Sequence, residues 1–231
     1  MMVKVSQYIY TRIIRSLLHL ANHTRPNIIC VVGRLNRYIH NPNVSRWSAL
    51  ERVFKYLKGI VDYGLHYSFF STVIKGFSDV NWIFDSKETK STTRYVFTLC
   101  GGAVCWKSVK QTIIIGSILG IKLVTLDAAN SKDEWLQKNL IDVPFVSKSI
   151  PPISIHYDSQ VTIAMAKSKK KNLKIRHMTI RHKSIRHLIS HGIISLDFIK
   201  SKKNITDPLT KGLVRQRVIQ SSRKMGLKPL N

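Results

Sequence analysis

Apolar positions in the first part of this chain recur at helical spacing. Ile13, Leu17, Leu18 and Leu20 form one group that Pro26 ends, and Ile28–Ile39 is a second apolar-rich stretch. Trp47, Leu50, Phe54 and Leu57 mark one face of a helix over Ser45–Leu57, with Gly59 where it should stop. Ser48 and Glu51 have the spacing of a capping box, although both can lie inside that helix. The pattern then shortens. Tyr63–Ser68, Val73–Ser78, Arg94–Leu99 and Ala103–Ser108 are rich in aromatic and β-branched residues and predict strands, with Gly101-Gly102 as a hairpin turn and Lys110–Ile115 as one more strand. Ile121–Leu140 returns to helical spacing, with Leu123, Leu126, Trp135 and Leu136 as candidate buried residues. Beyond Pro151-Pro152 the pattern predicts a strand at Ile153–Tyr157, helices at Val161–Lys167 and Thr179–Ser190, a strand at Ile193–Ile199 and a last helix at Val214–Lys224. Antiparallel strands followed by alternating helices and strands make an α/β layered domain.

Composition changes the picture mainly through charge. The 231 residues hold 38 Lys and Arg against 12 Asp and Glu, a net charge of +26 and a pI near 10.3. A chain this basic is expected to bind polyanions. The last 65 residues carry +16 of that charge. Its densest part supplies the candidate nucleic-acid contacts Lys169, Lys170, Lys171, Lys174, Arg176, His177, Arg181, His182, Lys183 and Arg186. Such phosphate contacts give affinity without sequence selectivity and weaken as salt rises. The apolar share of 44% is enough for a core. No apolar run reaches the ~20 residues of a membrane span, and Met1-Met2-Val3-Lys4 opens no apolar leader. Three cysteines without metal spacing predict a reduced, intracellular chain with neither a disulfide scaffold nor a zinc site.

With so few acids, carboxylates in apolar contexts carry weight. Asp79 and Asp158 look like strand-end residues, and Asp207, in Asn204-Ile-Thr-Asp-Pro-Leu, opens a helix. Each alone reads best as a turn or N-cap aspartate. Three in a basic chain point to a metal-dependent nuclease, in which carboxylates hold two Mg²⁺ ions about 3.5–4 Å apart around a phosphodiester.

Longer motifs then line up in order along nearly the whole chain. They are Thr24-Arg-Pro-Asn-Ile28, Trp47 to Gly59, Asp62-Tyr-Gly-Leu-His-Tyr67, Gly76-Phe-Ser-Asp-Val-Asn-Trp82, Lys90 to Leu99 and Cys105-Trp-Lys-Ser-Val-Lys-Gln111. Glu134-Trp-Leu136, Tyr157-Asp-Ser-Gln160, Arg176-His-Met-Thr-Ile-Arg181 and Ile205-Thr-Asp-Pro-Leu-Thr-Lys211 follow. This series resembles the C-terminal ribonuclease H region of copia-type (LTR) retrotransposon Pol polyproteins. The resemblance implies an RNase H-like fold, a mixed five-stranded sheet flanked by helices. Residues 1–66 would be a helical connection segment that follows the reverse transcriptase, and 67–231 the RNase H-like domain. Without a polymerase partner, the apolar faces of the first segment are expected to be exposed. By the same resemblance Asp79, Asp158 and Asp207 would be the catalytic and metal-holding aspartates, Mg²⁺ (or Mn²⁺) the cofactor, and an RNA–DNA hybrid the substrate. His177 and His182 would fall in a histidine-rich motif, where surface positions on a basic helix are the simpler reading. Trp82, Trp106 and Trp135 are expected in the core rather than as base-stacking platforms.

The chain departs from the family where a motif reading SSTEAEY should stand. Counting from Lys110-Gln111 and back from Trp135-Leu136 gives Ser117-Ile-Leu-Gly-Ile-Lys-Leu123, so the two glutamate positions hold Gly120 and Lys122. A lysine beside divalent cations meets repulsion of about 4 kcal/mol per unit charge at ~4 Å and an effective dielectric of 20. Asp127 lies five residues on, ~7.5 Å further along a helix, too far to substitute. Arg15 and Arg94 stand where the family has glycine, and Thr179 where it has aspartate. The polymerase Tyr-x-Asp-Asp signature is missing from the chain. These departures predict a degenerate copy with hydrolysis lost or severely impaired. The alternatives are a non-catalytic basic nucleic-acid-binding module, a still-active ribonuclease H, and an unstable relic.

Overall fold

The computed structural model describes residues 6–68, 73–81, 91–111, 118–142, 151–168, 176–206 and 215–230. Ser6 caps the first helix, α1 (Gln7–His23), by accepting a hydrogen bond from the Ile9 amide at 3.5 Å. Tyr10, Ile14, Leu17 and Ala21 form its buried stripe. A 3-10 turn at Pro26–Ile28 leads into α2 (Ile29–Asn36), and α3 (Val44–Lys58) follows. The cap of α3 is Asn43, whose side chain accepts from the Arg46 amide at 3.0 Å, so Ser48 and Glu51 lie within the helix.

Next come β1 (Tyr63–Leu65), β2 (Lys75–Asn81), β3 (Thr92–Leu99) and β4 (Gly102–Lys110). After them α4 (Ile118–Ile141) runs straight through Asn130-Ser131, followed by β5 (Ile153–Tyr157), α5 (Gln160–Lys167), α6 (Arg176–Ser190) and β6 (Ile194–Phe198). The chain closes with α7 (Arg215–Lys224) and β7 (Leu227–Pro229). The main sheet is five-stranded and mixed, in the order β4-β3-β2-β5-β6. Strands β2, β3 and β4 pair antiparallel, whereas β5 runs parallel to both β2 and β6. This is the mixed five-stranded sheet flanked by helices that the resemblance implies. Among the described residues no helix is long and apolar enough to cross a membrane.

Strand β3 is buried along both faces and divides the core into two layers. Tyr95 and Phe97 join Leu123, Leu126, Ile155, Ile185 and Leu188 under α4 and α6. Val96 and Ala103 join Leu17, Ile28, Val32, Leu50 and Met225. Helices α1–α3 therefore lie on the sheet. The expectation that their apolar faces stand exposed is corrected for most of these residues, although Ile9 is 49% and Phe54 46% exposed. Four wholly or nearly buried side chains on α1 alone find cover, and a fully buried large apolar side chain contributes about 1.5–3 kcal/mol. Trp106 reinforces the contact by donating from Nε1 to the Ala21 carbonyl at 2.8 Å.

The Arg-Pro-Asn motif acts as a fastener. The Arg25 guanidinium donates to the carbonyls of Tyr63, Ile60 and Val61, and Asn27 donates to the Tyr56 and Ser222 hydroxyls. Strand β1, expected within the main meander, instead pairs with β7 in a separate two-stranded ribbon. That ribbon depends on Gly226, which has φ +84°, and a Cβ on it would lie 2.7 Å from the Gly102 Cα. Trp106 is partly buried, but Trp135 is 54% exposed, contrary to expectation. Its ring lies 5.6 Å from the Lys132 ammonium. Trp82 and the strand expected over Lys110–Ile115 beyond Gln111 lie outside the described residues.

Candidate carboxylate site and basic surface

Ile153, Ile155 and Tyr157 alternate into the core and hold β5 in register beside β2, with Ser78 opposite Tyr157. One residue further on come Asp79, which lies within β2 rather than at its end because pairing with β3 continues to Asn81, and Asp158, which directly follows β5. Asp158 Oδ2 accepts a hydrogen bond from the Ser201 hydroxyl at 3.1 Å. Its Oδ1 has no hydrogen-bond donor. The Lys122 ammonium lies 3.9 Å from it, an ion pair too long for a hydrogen bond.

Lys122 is held there by its backbone. The fully buried Tyr157 phenol donates to the Lys122 carbonyl at 3.0 Å, tying the first turns of α4 to the end of β5. Burial, with the charges of Asp158 and Asp79 added, pushes the Tyr157 pKa well above its ordinary value, so the phenol remains a donor. Gly120 is buried one residue before Ile121 in the same helix.

Asp79 has its own cation. Arg94 lies directly across the antiparallel ladder from it, on the same face. The Arg94 side chain is 1% exposed, which makes it the largest fully buried side chain among the described residues. Its Nε donates to the Ser108 hydroxyl at 3.2 Å and its Nη2 to the Cys30 sulfur at 3.7 Å, whereas Nη1 has no partner. Burial lowers the Arg94 pKa, and the charges of Cys30 and Asp79 oppose that shift. The departure from glycine was visible in the sequence, but its partners on α2 and β4 were not.

Asp207 lies outside the described residues, but its approach is described. Asn204 donates to the Ser78 carbonyl at 3.1 Å and accepts from the Thr206 amide and hydroxyl, which lays 204–206 beside β2. Among the described residues no three His, Cys, Asp or Glu side chains converge as a metal site. Two carboxylates, each facing a basic side chain, are a poor donor set for divalent cations.

Of the expected nucleic-acid contacts, Lys169, Lys170, Lys171 and Lys174 fall outside the described residues, as do the side chains of Arg176 and His177. Lys183 is exposed and Arg186 partly so. One expectation needs correction. His182 is 3% exposed, and its Nε2 lies 2.8 Å from the Met165 carbonyl, so it belongs to the packing of α6 on α5 rather than to the surface. Arg181 pairs with Asp127 at 2.6 Å and keeps 28% of its side chain exposed. Burial raises the Asp127 pKa, and Arg181 opposes the shift.

Sequence reasoning also missed His156, which stacks on Phe77 with ring centroids 4.9 Å apart. Burial lowers its pKa, Asp197 pulls it back up, and Lys75 lowers it further. Nothing local in the sequence marks it, because its neighbours come from β2 and β6.

No family model matches the chain. It is 26% identical over 208 residues to the retrovirus-related Pol polyprotein from transposon TNT 1-94 of Nicotiana tabacum, an alignment covering 90% of this chain and 15% of that one. It is 33% identical over 128 residues to the secreted RxLR effector protein 161 of Plasmopara viticola, covering 55% of this chain and 90% of the relative. Among solved structures, LC11-RNase H1 in complex with an RNA/DNA hybrid aligns with a TM-score of 0.39 and 14% identity, covering 57% of this chain and 88% of that one. The chain thus spans about 15% of the length of the Pol polyproteins it matches.

Proposed function

We propose that this chain, which belongs to the RNase H-like region of copia-type retrotransposon Pol polyproteins, binds RNA–DNA hybrids without hydrolysing them. The observation that carries this reading is the Lys122 ammonium 3.9 Å from Asp158, at the position where the family motif has a glutamate. An active site of this class needs carboxylates around its Mg²⁺ or Mn²⁺ ions. Here Lys122 brings a positive charge instead, and Arg94 sets a second one beside Asp79. The described residues do not fit the metal pair, and no hydrolytic step is assigned to them.

Binding rests on the basic surface. With a net charge of +26, the chain attracts phosphate backbones whatever their sequence. The exposed Lys183 and the segment 169–174 are its proposed contacts. In this reading residues 1–66 form the connection segment, 67–231 the RNase H-like unit, and a reverse transcriptase domain is a partner.

The test is binding of a fluorescent RNA–DNA hybrid at two salt concentrations, with cleavage followed in Mg²⁺ and in Mn²⁺. The wild-type chain should bind, lose affinity as salt rises, and leave the hybrid intact. Lys122→Glu combined with Arg94→Gly should recover metal-dependent cleavage, and Lys122→Glu alone should recover less. Single-turnover cleavage by the wild-type chain, or no hybrid binding at low salt, overturns the reading.

A further inference from the structure

Two pairs of histidines stand at the C-terminal ends of helices in the two different core layers, and they are built alike. His19 and His23 lie four residues apart in the last turns of α1, with ring centroids 4.1 Å apart and planes tilted by 31°. His187 and His191 repeat the arrangement at the end of α6, at 4.0 Å and 44°. All four side chains are exposed. In each pair the backbone orients the second ring. Nδ1 of His23 lies 2.8 Å from the His19 carbonyl, and Nδ1 of His191 lies 2.8 Å from the His187 carbonyl. The Ser190 hydroxyl is also 3.2 Å from His191 Nδ1. A carbonyl only accepts, so Nδ1 is the donor and the neutral ring carries its lone pair on Nε2. A metal-bound histidine typically makes this same bond from its other nitrogen, which fixes tautomer and ring orientation.

Histidines at i and i+4 share one helix face and can hold an ion between them. With N–metal bonds of about 2.0 Å, two imidazoles at right angles on one ion have centroids on the order of 4.4 Å apart, so each pair needs only a small opening. The last carbonyls of each helix add partial negative charge. Imidazole favours ions such as Zn²⁺ and Cu²⁺ over the hard Mg²⁺. We propose that each pair chelates one divalent first-row transition ion, represented by Zn²⁺, through Nε2 of both rings. Among the described residues no three His, Cys, Asp or Glu side chains converge, so water completes each coordination shell. Arg15 and Lys183 stand one turn before His19 and His187, both exposed, and repel the ion. Salt screens that repulsion, so ion affinity should rise with ionic strength, whereas hybrid binding should fall. The proposal is independent of the nucleic-acid reading, because no phosphate contact enters it.

The full chain is titrated with Zn²⁺ and the bound ion counted by equilibrium dialysis at two concentrations of sodium nitrate. His23→Ala and His191→Ala should each lower the count by one ion and the double variant by two, since a lone imidazole binds about 10²-fold more weakly than a chelating pair. Both positions are exposed at helix ends, so the fold is kept. In nitrogen NMR, Nε2 of all four rings should shift on adding Zn²⁺, while Nδ1 of His23 and His191 stays protonated. A large excess of Mg²⁺ should not compete. Loss of an ion in only one variant keeps that pair and overturns the other. A count unchanged in the double variant places the ion on the free thiols or elsewhere and overturns the proposal, as does displacement of the ion by Mg²⁺.

Discussion

Asp79 in β2 and Asp158 just past the neighbouring β5 each meet a basic side chain, but the two pairs are built differently. Lys122 reaches Asp158 from the start of α4 with 22% of its side chain still exposed. Arg94 is 1% exposed, shut between the sheet and α2, and it bonds to Ser108 and Cys30 as well as lying opposite Asp79. The first is a screened charge that one substitution reverses. The second is part of the packing that holds α1–α3 on the sheet, so its removal disturbs the core. A site can therefore lose its metal chemistry in one reversible way and one entrenched way, and the two respond to different tests.

The largest effect is expected at the buried pair. Arg94→Ala should lower the unfolding free energy by about 3 kcal/mol, because it leaves a cavity and an uncompensated Asp79. Arg94→Met, of similar volume, should lose less, about 2 kcal/mol, because it fills the cavity but still leaves Asp79 uncompensated. Denaturant titration checks both, and equal losses in the two variants would show that the charge rather than the packing matters.

At the exposed pair, Lys122→Glu should destabilise by about 1 kcal/mol at low salt and less as salt screens the two carboxylates. Mg²⁺ should raise the melting temperature of that variant and leave wild type unmoved. An equal Mg²⁺ response in wild type would mean that Lys122 does not exclude the ion.

Tyr157→Phe removes the tie between β5 and the Lys122 carbonyl. A loss of about 1 kcal/mol is expected, together with a weaker effect of Lys122→Glu in that background. Additive losses would show that Tyr157 does not position Lys122.

The smallest effect belongs to His156. Its pKa is lower in the folded chain than its ordinary 6.5, mainly through burial, so the unfolded chain binds the extra proton first. The contribution is present above about pH 6.5 and is lost as pH falls through the folded pKa. His156→Gln should flatten the melting temperature between pH 7 and 5, and an unchanged slope would point to other groups.

Much of this architecture was legible along the chain. Ile153–Tyr157 was expected as a strand and is one, and the α3 helix extends its expected range by a residue at each end. Asp79 and Asp158 stood out because acids are scarce, and the structure brings them side by side. Where expectation failed, the reason lay in packing. The long helix α4 carries apolar residues around much of its circumference, so spacing alone did not separate the buried Leu136 from the exposed Trp135. His182 looked like one more basic surface residue because its Met165 partner sits on another helix.

Taken by itself, the sequence determined the elements, the excess of positive charge and the residues standing at the motif positions. These depend on side-chain type and on spacing within a few residues, where the helix and strand periods act directly. The tertiary structure alone decided that α1–α3 cover the sheet, that Arg94 is sealed beside Asp79, and that Gln111 is buried against Thr93 and Thr125. Those outcomes depend on strand register and on which layers meet, and residues as far apart as Cys30 and Arg94, or Asn27 and Ser222, become neighbours only when the chain closes on itself.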